Sequence, residues 1–172
     1  MKKILVLLVA VCSLFVACSK DEGGSSHSLD GTKWYCKIEP RFSKYYFTYN
    51  FVFDDGYVSI YTGSKNPTLK TTTTYKVIGD TIIFGYGDFL RMGGDTDSDY
   101  CTVYLTEKAT LSSDKSSFDI ELMYTLWHSE DTPVSLRKFY MLYYEYYGVE
   151  VDDEFFKSIP EKEYCTFTRV VE

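Results

Sequence analysis

The chain has 172 residues, 18 basic against 25 acidic side chains for a formal net charge of −7, and 45% hydrophobic with 18% aromatic content. A negative balance of that size argues against nucleic acid and anionic lipid headgroups as partners held by charge. The length past the N-terminal segment allows one domain with a continuous core.

Lys2 and Lys3 precede an apolar run over 4–17 that only Ser13 interrupts. A basic start followed by a short apolar stretch is the pattern of a secretory signal peptide. The run is shorter than the ~20 residues that cross a bilayer, and a polar, glycine-containing stretch follows it. It ends on Phe15-Val16-Ala17-Cys18, which resembles the bacterial lipobox, with phenylalanine where leucine is usual. In that motif small residues admit the lipoprotein signal peptidase, and the cysteine thiol carries a diacylglycerol. Acyl chains contribute about 0.8 kcal/mol per buried methylene, so a multiply acylated Cys18 is expected to anchor the chain at a membrane. Ser19 resembles an outer-membrane sorting residue. Lys20-Asp21-Glu22 resembles the export signal of surface lipoproteins in some Gram-negative bacteria, and reads equally as a solvated tether. Gly23-Gly24-Ser25-Ser26-His27-Ser28 has the composition of a flexible linker. The expected organisation is therefore a signal peptide over 1–17, a tether over 18–28 and a folded domain over 29–172, in an outer-membrane lipoprotein facing the cell surface. Without Lys2 and Lys3, 16 of the 18 basic side chains remain against 25 acidic ones, a mature charge of −9.

From Leu29 onward apolar residues alternate with polar ones, the period of a half-buried strand. Trp34, Cys36 and Ile38 share one face of a first strand, and Tyr49, Phe51 and Phe53 one face of a second. Asp54-Asp55-Gly56 has the chemistry of a tight hairpin turn into a strand over 57–62. Strands over 71–78 and 81–85 flank a second turn at Gly79-Asp80. Further strands are predicted over 100–106, 109–112 and 117–127, with a turn at Ser113-Asp114-Lys115, and a last strand contains Cys165 and Phe167. Eight or nine sequential strands with short turns predict an all-β fold, an up-and-down antiparallel barrel, because closure removes exposed sheet edges. Closure requires the strand of Trp34 to pair with that of Phe167.

A helical insertion is predicted before the last strand. Over 133–147 Thr132 suits the N-cap, Pro133 the first helical position and Gly148 the residue past the end, with Glu130 and Asp131 favouring the N-terminal dipole. Ser135, Lys138 and Glu145 form a narrow polar stripe among Leu136, Phe139, Tyr140, Leu142, Tyr143 and Tyr147, so most of the circumference is expected to be buried. Such a helix serves as a wall element, a lid over the barrel mouth or a docking surface. A second short helix is expected over 152–158.

The segments "SLDGTKWYC", "YNFVFDDGYVSIYTG", "YKVIGDTIIF", "ATLSSDKSSFDIELMY" and "YCTFTRV" together resemble the lipocalin-like domains of bacterial surface lipoproteins. In those domains a Leu-x-Gly-Thr segment precedes a tryptophan, a Phe-x-Phe strand turns at Asp-Gly, and an aromatic strand near an arginine closes the chain. Here Lys33 intervenes between Thr32 and Trp34. The resemblance implies a calycin-type barrel with an interior site and transfers no catalytic residues.

Templates for catalysis are missing from the sequence: there is no Gly-x-Ser-x-Gly, His-Glu-x-x-His, phosphate loop or Gly-x-Gly-x-x-Gly. His27 falls in the tether, leaving His128 as a lone histidine at a strand end. Asp95-Thr96-Asp97-Ser98-Asp99 alternates oxygen ligands like a calcium loop, but Tyr100 replaces the turn glycine and Thr106 the closing glutamate, so it reads as an acidic solvated loop. No cofactor and no enzymatic activity are expected. Cys36, Cys101 and Cys165 remain in an oxidising compartment once Cys12 leaves and Cys18 is acylated; at most one disulfide can form among them. Cys36 and Cys165 lie on the two closing strands and are the pair expected to be near each other and able to bond. Two functions follow. The barrel is a binding module for a small apolar or glycan ligand, with Trp34, Phe51, Phe53, Tyr75 and Phe84 as its inward wall, or those aromatics fill the interior and the protein is a structural or interaction component. The seventeen tyrosines serve as sugar-stacking platforms or as ordinary strand formers. Oligomeric state has no signature in the sequence.

Overall fold

The computed structural model describes residues 28–39, 46–63, 65–92, 101–126 and 132–171. The signal peptide, Cys18, the tether up to His27, the acidic run over 95–99, His128 and the dipole pair Glu130 and Asp131 lie outside the described residues. Among the described residues nine strands run in chain order as β1 (Thr32–Ile38), β2 (Phe47–Asp54), β3 (Tyr57–Thr62), β4 (Thr68–Ile78), β5 (Thr81–Phe84), β6 (Phe89–Arg91), β7 (Cys101–Leu111), β8 (Ser117–Leu126) and β9 (Glu163–Arg169). Two helices, α1 (Leu136–Tyr146) and α2 (Asp153–Ser158), lie between β8 and β9.

Every strand pairing is antiparallel, and the sheet closes. β1 pairs with β9 through Trp34 opposite Arg169 and Tyr35 opposite Thr168, which is the seam that the terminal strands were expected to form. The fold is an eight-stranded antiparallel barrel with an extra strand, because β5 and β6 lie in succession along β7. Thr81, Ile82 and Ile83 pair with Thr110, Ala109 and Lys108, and Phe89, Leu90 and Arg91 continue with Thr106, Leu105 and Tyr104. β6 is too short for alternation to reveal it. The strands expected over 100–106 and 109–112 are a single strand, β7. Its register against β8 shifts between Leu105 and Ala109, which places residues 106–108 opposite Glu121 and interrupts the alternation there.

Alternation sets the interior. β1 buries every second residue from Thr32 to Ile38, and β8 buries Phe118, Ile120, Leu122 and Tyr124. The first hairpin turns at Asp55 and Gly56, both with positive φ (47° and 74°), the conformation of a type I′ turn, in which glycine meets no steric cost. The second turn, at Gly79-Asp80, joins β4 to β5 in the register Ile78 to Thr81.

The helical insertion starts later than the sequence indicates. Ser135, not Thr132, occupies the N-cap, and its side chain makes no capping bond. Val134 is extended and exchanges two backbone hydrogen bonds with Tyr124 (2.8 and 2.9 Å), so the chain beside Pro133 is drawn into the sheet before the helix can begin. At the other end Gly148 follows the helix as expected, donating to Glu145 O at 3.1 Å. α2 begins at Asp153, with Asp152 as its N-cap accepting from the Phe155 N–H at 2.7 Å.

β9 pairs with β8 only as far as Glu163 opposite Leu122. Val134 then takes up the β8 edge at Tyr124, and Phe139 of α1 reaches the Tyr124 ring with centroids 5.5 Å apart. The insertion thus completes the wall where β9 has not yet begun. The expectation that α1 buries most of its circumference does not hold: within it only Leu136 and Phe139 are buried, while Met141 and Tyr146 are exposed. One flank of α1 rests on β8, and the other carries Tyr140 and Tyr144 against Phe155 of α2 at 6.2 and 5.4 Å, which leaves a third face uncovered.

Candidate functional site

The residues expected to line an interior site are brought together, and they touch one another. Trp34, Phe51, Phe53, Tyr75 and Phe84 are all buried. Phe53 packs edge-on against Tyr75 at 4.7 Å and Phe51 edge-on against Phe84 at 5.6 Å. The space between them is taken by two further rings. Phe118 lies 4.8 Å from Trp34 and stacks on Phe167 at 4.8 Å, and Phe167 in turn lies 4.5 Å from Phe51. Phe118 was not singled out from the sequence, although its alternation with Ile120, Leu122 and Tyr124 was the available signal. An eight-stranded barrel has an interior only just wide enough for side chains to fill, and large rings fill this part of it.

A polar clasp closes that end of the barrel. The Tyr75 hydroxyl donates to Asp30 Oδ1 at 2.7 Å and accepts from the Leu29 N–H at 3.2 Å. Asp30 Oδ1 also accepts from the Gly56 N–H at 3.1 Å. Trp34 Nε1 donates to Thr32 Oγ1 at 2.7 Å, and the Thr32 hydroxyl donates in turn to Leu29 O. The Leu29-Asp30-Gly31-Thr32 segment therefore ties the start of the domain to the β2–β3 turn and to β4. Burial, with the Asp30 bond adding to it, raises the Tyr75 phenol well above its ordinary range.

At the other end the inward-facing groups are thiols and phenols. Cys36, Cys101 and Cys165 are buried and form no disulfide. The sequence anticipates a Cys36–Cys165 pair that can bond; the two thiols lie near each other and form no disulfide. The register explains the difference. Continuing the β1–β9 ladder from Trp34 and Arg169 puts Cys36 opposite Phe167 and Cys165 opposite Ile38. The two cysteines are diagonal neighbours, ~7 to 8 Å apart for ideal strands, beyond the ~6.8 Å that a disulfide spans. The neighbouring Cys36 thiol, and then burial, push the Cys165 thiol well above its ordinary pKa. Tyr124 donates to the Glu163 carboxylate and Tyr86 to Thr106 O. Burial is the main cause that raises both phenols, reinforced at Tyr124 by Glu163 and at Tyr86 by Cys165. These shifts hold the proton on each group at neutral pH, which is the opposite of what a nucleophile or a general base requires. Among the described residues no group of three or more His, Cys, Asp and Glu side chains is placed to hold a metal ion.

A cleft on the outside of the barrel lies where β8 ends against α1. Its volume is about 330 Å³, and Thr125, Leu126, Val134, Leu142, Glu145 and Tyr146 line it. No protein-family model, curated protein or solved structure matches this chain.

Proposed function

We propose that this chain is a lipid-anchored outer-membrane lipoprotein, displayed at the cell surface, whose lipocalin-like barrel is a filled, non-enzymatic scaffold that makes its interactions from the outside. The observation that carries this reading is the contact between the very aromatics that an interior site would need as its wall. With Phe118 and Phe167 wedged among Trp34, Phe51, Phe53 and Phe84, an apolar ligand could enter there only by displacing rings that are fully buried. The buried setting at the opposite end, which pushes Cys165, Tyr86 and Tyr124 above their ordinary pKa values, favours a non-enzymatic role. Leu29, Thr32 and Trp34, which carry the lipocalin-like resemblance, form the clasp that ties β1 to its neighbours, and this supports the relationship. Membrane attachment rests on Cys18 and display on Lys20-Asp21-Glu22.

Fluorescence titration of the mature chain with a long-chain fatty acid and with an anilinonaphthalene dye tests the filled interior. The expected result is no saturable uptake; stoichiometric uptake that perturbs Trp34 emission would restore the interior binding module. Attachment is tested by Cys18→Ala, which should abolish palmitate incorporation. Replacing Lys20, Asp21 and Glu22 with alanine should protect the protein from protease added to whole cells, and unchanged accessibility would remove the surface assignment.

A further inference from the structure

The first helix carries its charges against its own dipole. Arg137 and Lys138 stand in the first turn of α1 and Glu145 in its last, where there is no base. Aligned peptide dipoles leave the N-terminus of a helix positive and its C-terminus negative, so each of these charges sits at the end that repels it. Beyond the helix the imbalance grows. Glu150, Asp152, Asp153 and Glu154 follow, so residues 143–154 hold five carboxylates and no base, and all five residues are exposed. The start of α2 accounts for three of them: Asp152 caps it, Asp153 stands in its first turn, and Glu154 meets Lys157 at 3.0 Å. Among the described residues Glu145 and Glu150 enter no ion pair. The same stretch is aromatic. Tyr147, Tyr143 and Tyr144 touch in succession at 4.7 and 5.4 Å, and Tyr144 continues to Phe155 at 5.4 Å. The outer end of this strip is open to solvent, with Tyr146 71%, Tyr147 51% and Val149 50% exposed.

We propose that this face, at the junction of α1 and α2, docks an arginine-bearing basic segment of another protein, whose guanidinium groups pair with Glu145 and Glu150 and lie on the Tyr146 and Tyr147 rings. The inference rests on the reading of the barrel as a scaffold that binds from its outside, and it names the chemistry of the partner. Charge complementarity selects the occupant. A cation seated at the end of α1 meets the negative pole of the helix and the carboxylates together, which offsets the repulsion that the free chain carries there. An exposed tyrosine ring attracts a cation over its face, as Lys37 Nζ already lies over the Tyr46 ring at 4.4 Å. Guanidinium meets both requirements better than ammonium, because its plane stacks on a ring while its fork of donors pairs with a carboxylate. A second copy of this chain brings like charge to like charge, and an anionic lipid surface does the same. A neutral apolar surface covers the tyrosines but strips water from the carboxylates and replaces it with nothing.

The test is a titration of the isotope-labelled, detergent-solubilised mature chain with soluble peptides that alternate leucine with arginine, with lysine or with glutamate, followed by amide chemical shifts. The arginine peptide should bind tightest and the glutamate peptide not at all, with shifts centred on Glu145, Tyr146, Tyr147, Val149 and Glu150. Raising the salt from about 0.05 to about 0.5 M should weaken the binding. Glu145→Gln combined with Glu150→Gln should weaken it about tenfold, and the melting midpoint of the free protein should not fall, because a repulsion at the end of α1 is removed. Tyr146→Ala combined with Tyr147→Ala should also weaken it. Glu39→Gln combined with Glu107→Gln, which removes the same charge elsewhere, should bind as the parent does. The inference is overturned if the arginine peptide binds no better than the lysine or the glutamate peptide, or if the two charge variants lose binding equally. It is also overturned if, without peptide, the chain self-associates through these amides or vesicles of phosphatidylcholine and phosphatidylglycerol shift them. Shifts centred on Phe51, Phe118 and Phe167 would overturn the scaffold reading itself, whereas silence of all the peptides together with no dye uptake would remove only the docking face.

Discussion

The Cys165 thiol lies against the Cys36 thiol across the β1–β9 seam and donates to Ile120 O at 3.6 Å on its other side. It is thereby held between the two strands that flank β9. The attacking species in thiol chemistry is the thiolate, which this setting disfavours, and neither cysteine is accessible to reagent. Alkylation followed by peptide mapping is therefore expected to label none of Cys36, Cys101 and Cys165 in the native chain, and all three after denaturation without reductant. If Cys36 and Cys165 label only after reduction, the two strands bond across their diagonal, and the register drawn from Trp34 and Arg169 is wrong at that end.

Tyr75 is a strand residue whose ring serves the core while its hydroxyl serves the clasp. Tyr75→Phe keeps the ring contact with Phe53 but leaves the buried Leu29 N–H without its acceptor and removes one donor from Asp30. A buried donor left unpaired costs about 1–3 kcal/mol. The denaturant midpoint should fall accordingly with little change in the slope. Tyr57→Phe, at a half-exposed position on β3, should be close to neutral. Equal effects from the two would mean that the clasp does not stabilise the domain.

The barrel was legible in the sequence because its strands obey one rule. Trp34, Phe51, Phe118 and Phe167 each lie in a run of period two, and the tight turns at Asp55-Gly56 and Gly79-Asp80 leave consecutive strands no choice but to pair. Length and sequence-local chemistry could not reveal β6, since three residues are too few for a period, nor that Val134 would be captured by Tyr124 before the helix starts. The helix itself misled in a different way. Its apolar content implied a buried cylinder, yet among the described residues the elements packed on it are β8 and α2, and Tyr146 and Met141 remain exposed. The candidate residues Trp34, Phe51, Phe53, Tyr75 and Phe84 are all buried, but alternation says which way a side chain points and nothing about how much space remains. The cleft by α1 had no sequence signal, because its lining comes from β8, from Val134 and from α1, which are separate segments until the insertion packs on β8.

Gly85 joins β5 to the turn before β6, and its N–H donates to Thr74 O at 2.8 Å. A Cβ at this position would overlap Thr74 Oγ1 and crowd Thr73 Oγ1 at 3.1 Å. Gly85→Ala should destabilise the barrel by about 1–3 kcal/mol, as overpacking generally does. Thr74→Ala removes the nearest obstructing atom, so the double variant should recover part of the loss, with a coupling of at least about 0.5 kcal/mol in a thermodynamic cycle. Strict additivity would show that the close approach of β4 to this turn is not what excludes a side chain.

Asp114 organises the β7–β8 turn from one carboxylate. Oδ1 accepts from Ser112 Oγ at 2.6 Å and from the Ser116 N–H at 3.0 Å, and the Ser116 hydroxyl bridges both carboxylate oxygens at 2.8 Å. These bonds, led by that of Ser112, lower its pKa to about 2, whereas an unfolded aspartate titrates near ~3.9. Between those values the unfolded chain binds more protons than the folded one, so stability contributed by Asp114 rises with pH through that window. The contribution is complete above about pH 4 and is lost as the pH falls through 2. The carboxyl carbon of Asp114 should accordingly titrate with a midpoint near 2. In Asp114→Ala the melting temperature should fall less steeply than in the parent on acidification from pH 5 to 2, and Ser112→Ala should move the Asp114 midpoint upward. A midpoint near the ordinary aspartate value in the folded parent would mean that the serine hydroxyls do not hold the carboxylate in solution.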